Sequence, residues 1–106
     1  MRLKAENLKI GDIFYKSYGY TAVEKYRVDN EVDDGKARVS PWDENDKEFV
    51  YAWSFLMSTW DMRDIFSTEW EAWECLIKEM QRYTKAATEN YKKRKMEMAI
   101  ENGSEK

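Results

Sequence analysis

Leu8, Ile10, Ile13 and Tyr15 are spaced around Gly11 and Asp12, and a turn followed by alternating apolar residues predicts a strand over about 12–16, broken at Gly19. A second strand is predicted over about 20–29. It places Ala22, Glu24, Tyr26 and Val28 on one face and Val23, Lys25 and Arg27 on the other, so Glu24 interrupts the apolar side. Asp33, Asp34 and Gly35 supply a turn, because glycine adopts positive φ without steric cost. Residues 36–40 then alternate, with Ala37 and Val39 inward and Lys36, Arg38 and Ser40 outward. Pro41 closes that strand, since proline cannot donate to a ladder. After an acidic turn at 43–46, Phe49, Tyr51 and Trp53 share one face of a fourth strand. Residues 54–61 fit either a helical turn or a continuing strand, and 62–66 read as a short fifth strand. The regular turn spacing predicts an antiparallel meander curled into a small barrel.

The period changes after residue 67. Thr68 and Glu71 match the T-x-x-E capping box, in which the hydroxyl satisfies an exposed amide at the start of a helix. Glu69, Glu71 and Glu74 suit the positive end of the helix dipole, and Lys92, Lys93, Arg94 and Lys95 suit the negative end. Neither glycine nor proline interrupts 68–102. Trp70, Trp73, Ile77 and Met80 form a large apolar seam that continues with the smaller or polar Thr84, Ala87 and Arg94. A helix of this length spans roughly 45 Å. Its first three turns are expected to pack on the sheet through Trp70 and Trp73, together with Trp53, and the remainder to project, pair with another chain or fray. The expected fold class is therefore α+β, with a barrel-like antiparallel sheet of four to five strands at 1–66. One long helix follows at 67–100 within the same domain, and a flexible tail at 101–106.

Composition narrows the chemistry. The chain has 106 residues, sixteen of them aromatic, so it folds around a small core. One cysteine excludes an internal disulfide, and the absence of histidine removes the commonest metal ligand and general base. Cys75, one step off the helical seam, is expected to be a buried small side chain. No phosphate-cradling glycine loop and no nucleophile elbow occurs. An enzymatic role would have to rest on carboxylates such as Asp61 and Asp64. The expectation is a protein without catalytic residues, metal or cofactor. No apolar run reaches the roughly 18 residues of a membrane span, so no membrane role is expected and the cytoplasm is the expected compartment.

Charge is distributed unevenly. Residues 1–77 hold ten Lys and Arg against sixteen Asp and Glu, a net −6, whereas 78–106 carry a net +3. Acidic turns at Asp33, Asp34, Asp43 and Asp46 would steer a basic protein partner. Trp42, between a proline and an acidic turn, is the expected exposed anchor, and Tyr15, Tyr18 and Tyr20 would extend it. Lys85, Lys92, Lys93, Arg94 and Lys95 define an alternative, a nucleic-acid contact through the basic helix. The helix also allows a weak homodimer, a monomer being the other expectation.

The motif L-x-x-G-D-x-x-Y at Leu8, Gly11, Asp12 and Tyr15, with F-x-T-x-x-E-A at Phe66, Thr68, Glu71 and Ala72, resembles small proteins of bacteriophages and related mobile elements. The resemblance covers about residues 8–80. It departs at 54–60 and in the long charged tail. Such proteins combine a few barrel strands with a capped helix, and the resemblance implies either an accessory or inhibitory host-interaction factor or a small nucleic-acid-associated barrel. The factor's target would be a host protein, such as a nucleic-acid-handling or defence enzyme.

Overall fold

The computed structural model describes residues 1–104. It is α+β: an antiparallel sheet and one long C-terminal helix, as the two periodicities predict. The strands are β1 (Arg2–Leu3), β2 (Ile13–Tyr18), β3 (Ala22–Asp33), β4 (Lys36–Asp43), β5 (Glu48–Phe49), β6 (Phe55–Ser58) and β7 (Ile65–Phe66), and helix α1 is Glu69–Ser104. The sheet order is β1-β7-β2-β3-β4-β5, with β6 paired to β4. The sheet is open, not a closed barrel, and β7 inserts between β1 and β2, so it is not a simple meander.

Local chemistry explains most of the elements. Asp34 and Gly35 have φ of 52° and 72°, the two positive values of a tight hairpin turn, and Asp33 pairs with Lys36 across it. Gly11, at φ 92°, donates its amide to the Val28 carbonyl at 2.8 Å while Val28 donates to Asp12 at 2.8 Å. Two residues thus oppose one at the entrance to β2, which is a bulge.

Pro41 does not end its strand. It sits inside β4 opposite Tyr26, and its carbonyl accepts the Val50 amide at 2.9 Å. In an antiparallel strand a residue's nitrogen and carbonyl point to the same side. The nitrogen of Pro41 therefore faces β5, and the β3–β4 ladder loses nothing.

The core gathers Phe14, Tyr26, Val28, Ala37, Val39, Met57 and Ile65 from one face of the sheet with Ala5 of a short 3-10 turn, Leu8 just after it, and Met62. Ala37 and Val39 point inward as their alternation predicts. Ser40, expected outward, is fully buried. Its hydroxyl donates to the carboxylate of Asp29, which also receives Arg27 at 3.2 Å. Asp29 lies two residues from Arg27, the partner of Ser40, on the same face, and the ladder shifts register beside it between Val28 and Asn30.

The chain divides into two compact units, Met1–Leu76 and Ile77–Lys106. In the first, Thr68 Oγ accepts the Glu71 amide at 3.4 Å, as the capping box predicts. The Glu71 carboxylate receives the Met1 amino group and the Thr68 hydroxyl, which hold its carboxyl below the usual carboxylate range. Ala72 and Leu76 are the helical residues buried here, whereas Trp70 is 72% exposed. Trp73 is half-buried and spends its indole N–H on Glu69 at 3.1 Å. The expected tryptophan core at this end is thus replaced by small and aliphatic side chains. The Cys75 thiol is half-buried, with an Arg2 guanidinium nitrogen 4.0 Å away. In the second unit the chain is helical to Ser104, and the side chains at 81–101 are exposed. The helix thus extends into the tail expected at 101–106, of which 105 and 106 lie outside the described residues. No helix is long and apolar enough to cross a membrane among the described residues.

Candidate protein-binding surface

The side chains expected as anchors fall into two places. Tyr15 and Trp42 lie in one row across the sheet face opposite the core. Register pairs Arg2 with Phe66, Phe66 with Tyr15 and Tyr15 with Lys25. Lys25 Nζ then lies 4.1 Å from the Trp42 ring, and Trp42 meets Phe49 edge-on at 5.0 Å. Arg2 and Arg27 cap the outer rings of this row at 5.4 and 5.3 Å. Trp42 is therefore half-buried and engaged by its own sheet, where its cation–π contact contributes on the order of 1 kcal/mol. Tyr18 and Tyr20 stand elsewhere, 63% and 71% exposed at the β2–β3 turn.

The acidic residues also divide. Asp33 and Asp34 are exposed at the β3–β4 turn, where they border an open depression of about 440 Å³. Asp43 is half-buried and accepts the Asn45 amide at 2.9 Å, so it shapes its own turn. Lys47 contacts Glu44 at 2.6 Å and lowers its carboxyl from the ordinary value. Asp46 is exposed in the same turn. Asp61 and Asp64 do not converge on one ligand: Asp61 receives the Ser58 hydroxyl at 2.9 Å, and Asp64 pairs with Arg2 at 3.1 Å.

The basic helix residues Lys85, Lys92, Lys93, Arg94 and Lys95 are exposed in the second unit. Arg94 contacts Glu97 at 3.5 Å, and Lys95 Nζ is 5.8 Å from the Tyr91 ring.

A dense run of exposed apolar side chains lies where the sequence predicts a strand. After Phe49 the chain leaves the sheet and forms a 3-10 turn at Tyr51–Trp53 instead of continuing the alternation. Tyr51 and Trp53 consequently stand 62% and 60% exposed, so Trp53 is not a core residue. β6 follows at the sheet margin, with Phe55 41% and Leu56 55% exposed. Trp60 comes next at 71%, its carbonyl receiving Arg63 at 2.9 Å and its ring 4.4 Å from that guanidinium. Five large apolar side chains are thus presented within ten residues. Phe55 turns to the core face, edge-on to Tyr26 at 5.9 Å, while Leu56 shares the opposite face with Arg38. A concentration of exposed large apolar side chains in one short stretch marks a candidate interaction site. Two tryptophans, Trp53 and Trp60, flanking an uncharged F-L-M-S run were the available signal in the sequence.

Comparison of the chain with protein-family models, curated proteins and solved structures finds no match.

Proposed function

We propose that this protein is a non-catalytic protein-binding factor that engages its partner through the exposed stretch at 51–60. The observation that carries the reading is the solvent exposure of Tyr51, Trp53, Phe55, Leu56 and Trp60 together. Tryptophan and tyrosine dominate binding hot spots because they remove large areas from water at low entropic cost. The net charge of −6 over 1–77 supports a basic partner, through steering at the acidic turns. With the resemblance to small phage and mobile-element proteins, the reading extends to an accessory or inhibitory factor acting on a nucleic-acid-handling or defence enzyme.

The test is capture from a nuclease-treated bacterial lysate on the immobilised full chain, washed at two salt concentrations. A stoichiometric protein that survives both treatments is the expected result. Capture only of nucleic acid, released by salt, overturns the reading in favour of the basic helix.

A further inference from the structure

The free edge of β6 has a polarity that can be worked out from its ladder. β6 pairs with β4 through Val39 and Phe55, Arg38 and Leu56, Ala37 and Met57, and Lys36 and Ser58. One step beyond, Thr59 donates to the opposed Gly35 carbonyl at 2.9 Å. Hydrogen-bonded pairs alternate with non-bonded pairs in an antiparallel ladder. Met57 and Phe55 therefore spend their backbone groups on β4, while Leu56 and Ser58 turn theirs outward. The Ser58 carbonyl is taken by the Met62 amide at 3.2 Å. The Leu56 N–H, the Leu56 carbonyl and the Ser58 N–H remain on a side where no strand pairs among the described residues.

Natural edges are guarded by charge, proline, bulges or shortness. β1 and β5 are two residues long and carry Arg2 and Glu48. β6 is four residues of Phe, Leu, Met and Ser with no guard, set between the exposed Trp53 and Trp60.

We infer that this edge accepts an extended, lysine- or arginine-bearing segment of the partner protein as an added antiparallel strand. This rests on the protein-binding reading above and adds how the partner is held. The charge around the edge selects the occupant. Leu56 borders the depression shared with Glu31, Asp33, Asp34, Lys36 and Arg38. Arg38 donates to Ser54 at 3.2 Å, and Asp61 stands next to Trp60. A second copy of the chain would bring another −6 body to this edge, whereas a basic strand meets Glu31, Asp33 and Asp34, in excess over Lys36 and Arg38, and the exposed Trp53 ring. Backbone pairing supplies affinity and the alternate side chains supply selectivity in strand addition.

The test selects binders to the full-length protein from a random decapeptide library and titrates the winners into ¹⁵N-labelled full chain. Winners should alternate apolar residues with Lys or Arg, and should move the Leu56 and Ser58 amides. Methylating alternate amide nitrogens on one edge of the peptide should weaken binding by roughly tenfold or more, which is about 1.4 kcal/mol or more. Leu56→Pro, which removes an outward N–H and no ladder bond, should weaken it similarly. Acidic winners, unaffected binding after methylation, or unmoved Leu56 and Ser58 amides would overturn the inference. So would a dimer of the free protein that Leu56→Pro dissolves, because the edge would then belong to a second copy. If peptide pairing fails but the partner captured from lysate still depends on Trp53 and Trp60, the broader reading stands without strand addition. Capture indifferent to both tryptophans ends the broader reading itself.

Discussion

Ser40→Ala should destabilise the first unit far more than a serine-to-alanine change on a strand surface would. The Ser40 side chain is fully buried, and its hydroxyl donates to an Asp29 carboxylate that is itself only 9% exposed. A hydrogen bond to a charged acceptor contributes ~1.5–3 kcal/mol, against ~0.5–1.5 kcal/mol for a neutral one. Asp29 would retain Arg27 at 3.2 Å, but that guanidinium is part-exposed and replaces little of the lost donor. We therefore expect a loss of about 2 kcal/mol, which lowers the melting temperature of a domain this size by roughly 8–16 °C. Thermal and urea unfolding followed by tryptophan fluorescence would measure it. Asp29→Asn and the double variant complete a cycle, in which the coupling should account for most of the single losses. A Ser40→Ala loss below ~0.5 kcal/mol, the range of ordinary surface changes, would refute the account of this cluster.

Three further outcomes are expected. Phe14→Ala, which removes a fully buried ring stacked on Tyr26 at 5.4 Å, should cost ~3–5 kcal/mol in urea unfolding. Gly35→Ala meets no atom within 4 Å of the added Cβ, so its cost is the backbone strain of φ 72°, ~1–2 kcal/mol by the same assay. Burial, and then the Glu24 carboxylate, raise the Tyr26 phenol above its ordinary value. The folded state thus holds that proton more tightly, and its contribution is complete below the unfolded pKa of about 10 and lost as pH rises beyond it. Urea midpoints from pH 8 to 11 should fall more steeply for the wild type than for Tyr26→Phe; equal slopes would remove Tyr26 from the explanation.

The fold class was legible because two periods are written cleanly in the chain. Ala37 and Val39 alternate with charged neighbours, Asp34 and Gly35 demand a tight turn, and Thr68 begins an uninterrupted helix. What was illegible depended on partners distant in sequence. The two-residue strand β1 carries no local period, and only its pairing with β7 defines it. Ser40 faces away from the core as its alternation predicts, paired with Arg27, but its burial there depends on Asp29 of the neighbouring strand, which the local pattern does not contain. Pro41 reads as a stop because the side to which its nitrogen points is not contained in the local pattern.

The same difficulty governed the candidate surface. Phe49, Tyr51 and Trp53 alternate as a strand would, but the chain turns at Val50 and carries Tyr51 and Trp53 into solvent. Trp42, singled out as an anchor for its place beside a proline, is engaged by Lys25 and Phe49 across the sheet. The exposed hairpin tyrosines Tyr18 and Tyr20 remain accessible for the role expected of them, while the larger apolar exposure has moved to 51–60.

The most direct measurement compares stability with partner capture in the double variant Trp53→Ala, Trp60→Ala. Both side chains are mostly solvent-exposed, and the Trp60 ring has the Arg63 guanidinium near its face. The account predicts an unfolding free energy within about 1 kcal/mol of the wild type, together with loss of the nuclease-resistant protein partner. Undiminished capture by a folded double variant would contradict the claim that this surface is where the protein does its work.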